Sequence, residues 1–129
     1  MKSAYLVIAH GSREKKANEE FFEFLGKFKS LFPKKQVMGA FLEMAKPGIP
    51  EAVDACAKRG ADQIFLLPLM LFQGRHVKED IPKMIADAKM RHPKLDFHYA
   101  SPLSDHPMLL NILKDKARHA KKMKGRAKR

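Results

Sequence analysis

A chain of 129 residues, 45% of them hydrophobic, is long enough to bury one core and too short for two. Its one cysteine, Cys56, excludes an intrachain disulfide and a four-cysteine zinc site, and suits a reducing compartment such as the cytoplasm. The formal net charge of +12 is uneven: nine Lys/Arg and one Asp lie between Lys114 and Arg129, so this stretch carries +8. A solvated, frayed helix end is the first reading of such a run and an anion- or nucleic-acid-binding patch the second.

No apolar run approaches the roughly 20 residues that a membrane helix needs, and the first residues lead straight into a strand-like segment instead of a signal-peptide core. A soluble, unexported protein with no membrane partner is therefore expected. Residues 1–123 are read as one domain and 124–129 as a basic, disordered tail.

In chain order, Tyr5-Leu6-Val7-Ile8-Ala9 is a continuous apolar run closed by His10-Gly11-Ser12, the pattern of a strand buried on both faces and ending in a loop. Ser12 is expected to cap the next helix, in which Ala17, Phe21, Leu25, Phe28 and Phe32 recur at three- and four-residue spacing until Pro33 stops it. Residues 37–42 predict a second strand, with Gly39 as its weak point, delivering Glu43 to a loop. Pro47 and Pro50 favour a helix start; that helix carries Ala52, Val53 and Cys56 and ends at Gly60 in a left-handed cap. Cys56, among apolar neighbours, is read as a small core residue.

Residues 63–67 predict the third strand. The segment Pro68-Leu69-Met70-Leu71-Phe72-Gln73-Gly74-Arg75-His76 follows as a loop, and Asp80 is expected to cap a helix with Pro82 in its first turn and Ile81, Met84, Ile85 and Ala88 inward. Residues 95–100 predict a fourth strand, and a last helix places Leu109, Leu110 and Leu113 on one side.

Four strands alternating with four helices imply an α/β fold, a three-layer sandwich with a four-stranded, mainly parallel sheet and helices on both faces. Ligands of such folds bind at the carboxyl edge of the strands. His10, Glu43 and His76 follow the ends of three consecutive strands at equal spacing, about one strand-helix unit apart, so all three are expected on one rim. Two imidazoles and a carboxylate suit a borderline divalent metal such as cobalt, iron, nickel or zinc, and so few ligands leave positions open for a substrate. Singly, each histidine is better read as a loop residue satisfied by solvent or a backbone carbonyl; two at strand ends with a carboxylate between them favour the metal.

His98, near the end of the fourth strand, is assigned a core or supporting role, and His92, His106 and His119 are left out. No phosphate loop, dinucleotide fingerprint, H-E-x-x-H helix or G-x-S-x-G elbow is present, so use of ATP is not expected. Gly11-Ser12-Arg13 reads equally as an anion-binding helix start or as a simple capped turn.

The combination Ala9-His10-Gly11-Ser12-Arg13, Phe41-Leu42-Glu43 with Pro47, and Pro68-Leu69 with Gly74, His76 and Asp80-Ile81-Pro82 resembles the small sirohydrochlorin chelatases, the cobaltochelatase type of class II chelatase. The likeness runs from about Tyr5 to Leu110. It implies a chelatase-like fold and a homodimer that inserts a divalent metal, Co2+ first and Fe2+ or Ni2+ otherwise, into sirohydrochlorin without ATP, in cobalamin or sirohaem synthesis. His10 and His76 fall on the family's metal-binding histidines. Glu43 takes the place of an acidic residue in related chelatases, a third ligand or proton acceptor.

Ser12, Arg13 and Arg75 are then assigned to the carboxylates that edge the substrate, where guanidinium suits bidentate pairing; Lys78 is read as solvated surface. Imidazole binds metal only when neutral, so activity should fall at low pH. The sequence departs from the resemblance in Ser104, where many relatives carry glycine, and in its basic tail. Two rivals remain: a carrier that binds metal or tetrapyrrole without catalysis, and a nucleic-acid module led by the tail, which no recognition helix or stacking platform supports.

Overall fold

The computed structural model describes residues 2–125, in which strands and helices alternate. Strand β1 (Ser3–Ala9) leads to helix α1 (Lys15–Ser30), β2 (Gln36–Phe41) to α2 (Ile49–Lys58), and β3 (Gln63–Pro68) to α3 (Arg75–Arg91). The last pair is β4 (Asp96–Tyr99) and α4 (Met108–Arg118), joined through a 3-10 turn at Leu103–Asp105. The strands lie in the order β2-β1-β3-β4 and every neighbouring pair is parallel.

Handedness turns this order into layers. The step from β1 to β2 runs one way across the sheet and the step from β2 to β3 runs the other, so right-handed crossovers put α1 on one face and α2 and α3 on the opposite one. Packing agrees, because successive strand residues face opposite sides. Leu6, Ile8, Ile64 and Leu66 are buried with Ile49, Val53 and Cys56 of α2 and Val77 and Ile81 of α3. Val7 and Phe41 instead meet Phe21, Leu25 and Phe28 of α1. Burial raises the Cys56 thiol pKa, which leaves it an inert core residue as expected.

Two glycines hold their places for different reasons. Gly60 follows α2 at φ +92°, the left-handed ending predicted for it. Gly39 is no weak point: a Cβ there would come within 2.8 Å of both Leu25 and Phe21, so its bareness is what lets α1 lie close on β2.

At the amino edge of the sheet, α2 and α3 are tied by charge. The Asp54 carboxylate lies 2.7 Å from His92 Nε2 and 3.3 Å from an Arg91 nitrogen. The hydrogen bond to His92, followed by the Arg91 partner, holds the Asp54 carboxyl below its usual range.

Four expectations for the helices are not met. Helix α3 begins at Arg75, with extended Gly74 as its N-cap, and not at Asp80; His76 therefore lies in its first turn, and Pro82 lies inside the helix. Pro82 faces solvent, where water can satisfy the carbonyl its missing amide leaves free. Ser12 does not cap α1, whose N-cap is Glu14 without a side-chain bond. Ala17 is exposed, so the buried stripe of α1 starts at Phe21. Finally, α4 buries none of its residues: Leu110 and Leu113 are 75% and 67% exposed. Residues 126–129 of the expected tail lie outside the described residues, and no described helix is long and apolar enough to cross a membrane.

Candidate functional site

The switch in crossover direction opens the site. The helix after β1 goes to one face and the helix after its neighbour β3 goes to the other, so a crevice forms between the carboxyl ends of these two strands. His10 follows β1 directly, and His76 stands in the first turn of α3, after β3. Both line one cavity of about 580 Å3, together with Leu69, Met70, Phe72 and Arg75.

Glu43 reaches the same rim from β2, the other neighbour of β1. The Leu42 amide donates to the Ala9 carbonyl at 2.9 Å and the Glu43 amide to the His10 carbonyl at 3.1 Å, extending the parallel ladder past the ends of both strands. His10 Nε2 then lies 3.0 Å from Glu43 Oε1, with both side chains about half exposed. An ionised carboxylate can only accept, so in this arrangement Nε2 carries the proton and Nδ1 is the nitrogen left to take a ligand. Among the described residues no three of His, Cys, Asp or Glu are gathered closely enough to hold one ion. Glu43 instead meets His10 alone.

The loop geometry permits only glycine at position 11. Gly11 has φ +99°, and a Cβ built there would stand 1.8 Å from the Glu43 carbonyl oxygen. Backbone thus touches backbone beneath the His10–Glu43 pair, and Met44 beyond it takes φ 66°, a left-handed conformation unusual outside glycine. Strained backbone of this kind gathers at ligand sites.

The three residues assigned to substrate carboxylates fare differently. Ser12 is half buried and engaged: its amide donates to Asn18 Oδ1 at 3.1 Å, the Asn18 side chain donates back to its carbonyl at 2.8 Å, and its hydroxyl oxygen accepts from the Glu14 amide. Arg13 is exposed on the loop after β1. Arg75 lines the cavity with a 90% exposed side chain, 3.7 Å from Glu79 one helical turn on. Asn18, which fixes the turn under Ser12, and the exposed Phe72 and Met44 escaped the sequence reading; an unexplained apolar residue in a loop was the only signal for the last two.

Of the remaining histidines, His98 stacks on Phe65 with centroids 4.4 Å apart and bonds Gln63, away from the crevice and exposed instead of in the core. His92 is taken up by Asp54, His106 accepts from the Met108 amide at the start of α4, and His119 ends that helix.

Residues 4–120 match the CbiX family model. The chain is 32% identical over 120 residues to the sirohydrochlorin cobaltochelatase of Sulfolobus acidocaldarius, covering 93% of this chain and 94% of that one. It is 38% identical over 103 residues to the sirohydrochlorin ferrochelatase of Bacillus subtilis, covering 80% of this chain but 40% of that protein, and it spans only 51% of the similar chloroplast ferrochelatase of Arabidopsis thaliana. Its fold superimposes on the sirohydrochlorin chelatase SirB from Bacillus subtilis subspecies spizizenii in complex with cobalt at a TM-score of 0.83 and 35% identity, covering 92% of this chain and 50% of SirB. With a four-stranded parallel α/β fold shared with SirB and a family match over nearly its whole length, this chain belongs to the CbiX family.

Proposed function

We propose that this chain inserts a divalent metal, cobalt first, into sirohydrochlorin, without ATP, as a step of tetrapyrrole synthesis leading to cobalamin or sirohaem. The observation that carries the reading is the shared cavity: His10 and His76, brought from two different strand-helix junctions, line one space open to solvent, and a His10 ring nitrogen is bonded to a carboxylate. Family membership says which chemistry such a space serves. The cobaltochelatase name of the Sulfolobus relative, whose length this chain nearly spans, supports cobalt. The ferrochelatase name of the Bacillus relative keeps iron in view, and imidazole accepts either metal.

In this mechanism the metal is a substrate. Neutral His10 and His76 take it at the crevice, and two protein ligands leave most of its coordination positions to water and then to the macrocycle. As the metal enters, two pyrrole N–H bonds break and two protons leave, so the charge gained from the dication is balanced. The Glu43 carboxylate, reached directly or through His10, is the acceptor at hand. Arg75 and Arg13 offer guanidinium to the substrate's carboxylates, while the Ser12 hydroxyl, which accepts from the Glu14 amide, keeps its proton to donate to a carboxylate.

The assembly we propose is a homodimer acting in the cytoplasm, each subunit a single domain. Two features support it: relatives about twice this chain's length, and an α4 whose Met108, Leu110, Ile112 and Leu113 lie exposed. The lone buried Cys56 suits the reducing compartment. Mixing purified protein with Co2+, Fe2+ or Ni2+ and sirohydrochlorin and following the macrocycle's absorbance tests the reading. Acceleration over the protein-free rate supports it; tight metal binding with no acceleration would make the protein a carrier.

A further inference from the structure

The segment between β3 and α3 holds an aromatic side chain out into water. Phe72 is 76% exposed, an arrangement that forgoes the stabilisation its burial would contribute. The backbone around it is anchored on both sides. Before Phe72, the Leu103 amide donates to the Met70 carbonyl at 3.1 Å and the Ser104 amide to the Leu71 carbonyl at 3.0 Å. After it, the Gln73 side-chain amide donates to the Tyr99 hydroxyl at 3.1 Å, and Gly74 caps α3. The ring is therefore held out by a fixed loop at the wall of the cavity that His10 and His76 line.

Beside Phe72 in the cavity wall lie the apolar Leu69 and Met70, and its chain neighbour Leu71 is also exposed. Arg75 stands on the same cavity wall, exposed and 3.7 Å from Glu79, and Lys78 and Arg13 are exposed on α3 and on the loop after β1, at the same carboxyl edge of the sheet. An exposed aromatic ring on an apolar cavity wall that also carries a guanidinium fits a ligand with a flat, apolar face and carboxylates at its edge, and fits a wholly polar ligand badly.

Resting on the chelatase reading above, we infer that Phe72 is the stacking platform for the macrocycle: one face of sirohydrochlorin lies on the ring while its centre is presented to the metal between His10 and His76. Phe72 then acts on the tetrapyrrole and not on the metal. Its loss should weaken macrocycle binding while leaving metal capture intact.

The test uses the full-length chain with Phe72→Ala, Phe72→Trp and wild type. Measured on each are KM and kcat for sirohydrochlorin during Co2+ insertion, macrocycle binding by its fluorescence without metal, Co2+ affinity without macrocycle, and molecular mass by sedimentation. Phe72→Ala should raise KM and the macrocycle dissociation constant about tenfold, as loss of one aromatic stack predicts. It should leave Co2+ affinity and mass unchanged, and Phe72→Trp should restore binding. Unchanged KM and macrocycle binding in Phe72→Ala, with the wild type active, would overturn this inference alone. A change of mass with unchanged KM would overturn it by assigning the ring to a contact between copies. A wild type that neither binds sirohydrochlorin nor inserts metal would overturn both this inference and the function it rests on.

Discussion

His10 Nε2 and Glu43 Oε1 lie 3.0 Å apart although their residues are separated by a whole strand-helix unit, and the backbone beneath them is joined by the Glu43 amide's bond to the His10 carbonyl. A carboxylate behind a metal-binding imidazole fixes its tautomer and raises its basicity, and losing such a partner costs roughly 10- to 100-fold in affinity or rate. Glu43→Ala should lower kcat for metal insertion by that factor, and Glu43→Gln, which keeps an acceptor oxygen without the charge, should fall in between. Steady-state kinetics on both variants decide the point; wild-type rates in Glu43→Ala would remove this contact from the mechanism.

Gly11 ties the same two loops together sterically. With φ +99° and no room between its α-carbon and the Glu43 carbonyl, Gly11→Ala should destabilise the fold by about 2 kcal/mol or more, since strain and overlap add. Thermal melting should show a drop of several degrees or more. Because the loops must part, the variant should also lose affinity for Co2+, whereas Gly26→Ala, at an open helical position, should not.

Much of this was legible in the sequence, and the residues show why. Apolar runs bounded by His10-Gly11 and by Gly60 mark buried strands and helix ends through backbone chemistry that acts locally, and the order of strands and helices then leaves few topologies. What failed was local chemistry with two readings. Asp80-Ile81-Pro82 has the form of a helix start, but Gly74 in extended conformation starts α3 earlier and carries His76 from a loop onto a helix. Ser12 has the form of a cap, yet Asn18 captures it a turn too soon. Phe72 and the bare face of α4 were not legible at all, because periodicity and composition do not tell an apolar residue that is buried from one held out for a ligand or a second chain.

The Asp54–His92–Arg91 contact gives a pH signature remote from the crevice. The Asp54 carboxyl titrates below its ordinary value of 3.8 in the folded chain, so its contribution is fully present above that value and is lost as pH falls through the lower, folded value. The group is more than half exposed, which limits the contribution to roughly 0.5 kcal/mol. Asp54→Asn should therefore melt about 1–3 °C below wild type at neutral pH, and the gap should close in strong acid. A gap that persists or widens there would assign the contact another role.

Helix α4 offers a test of assembly. Leu110 and Leu113 are largely exposed, and the replacements Leu110→Glu and Leu113→Glu together should turn a dimer into a monomer in sedimentation equilibrium with little loss of secondary structure. If the wild type is itself monomeric at micromolar concentration, the homodimer is wrong.

The central claim is that His10 and His76 act on one metal ion. It is tested most directly by Co2+ titration and by the rate of Co2+ insertion into sirohydrochlorin in wild type, His10→Ala and His76→Ala, with circular dichroism to show that each variant is folded. Each single variant should lose at least ~100-fold in insertion rate and should bind Co2+ more weakly, because neither imidazole alone holds the ion at the crevice. A folded His10→Ala or His76→Ala that inserts cobalt at the wild-type rate would contradict the account.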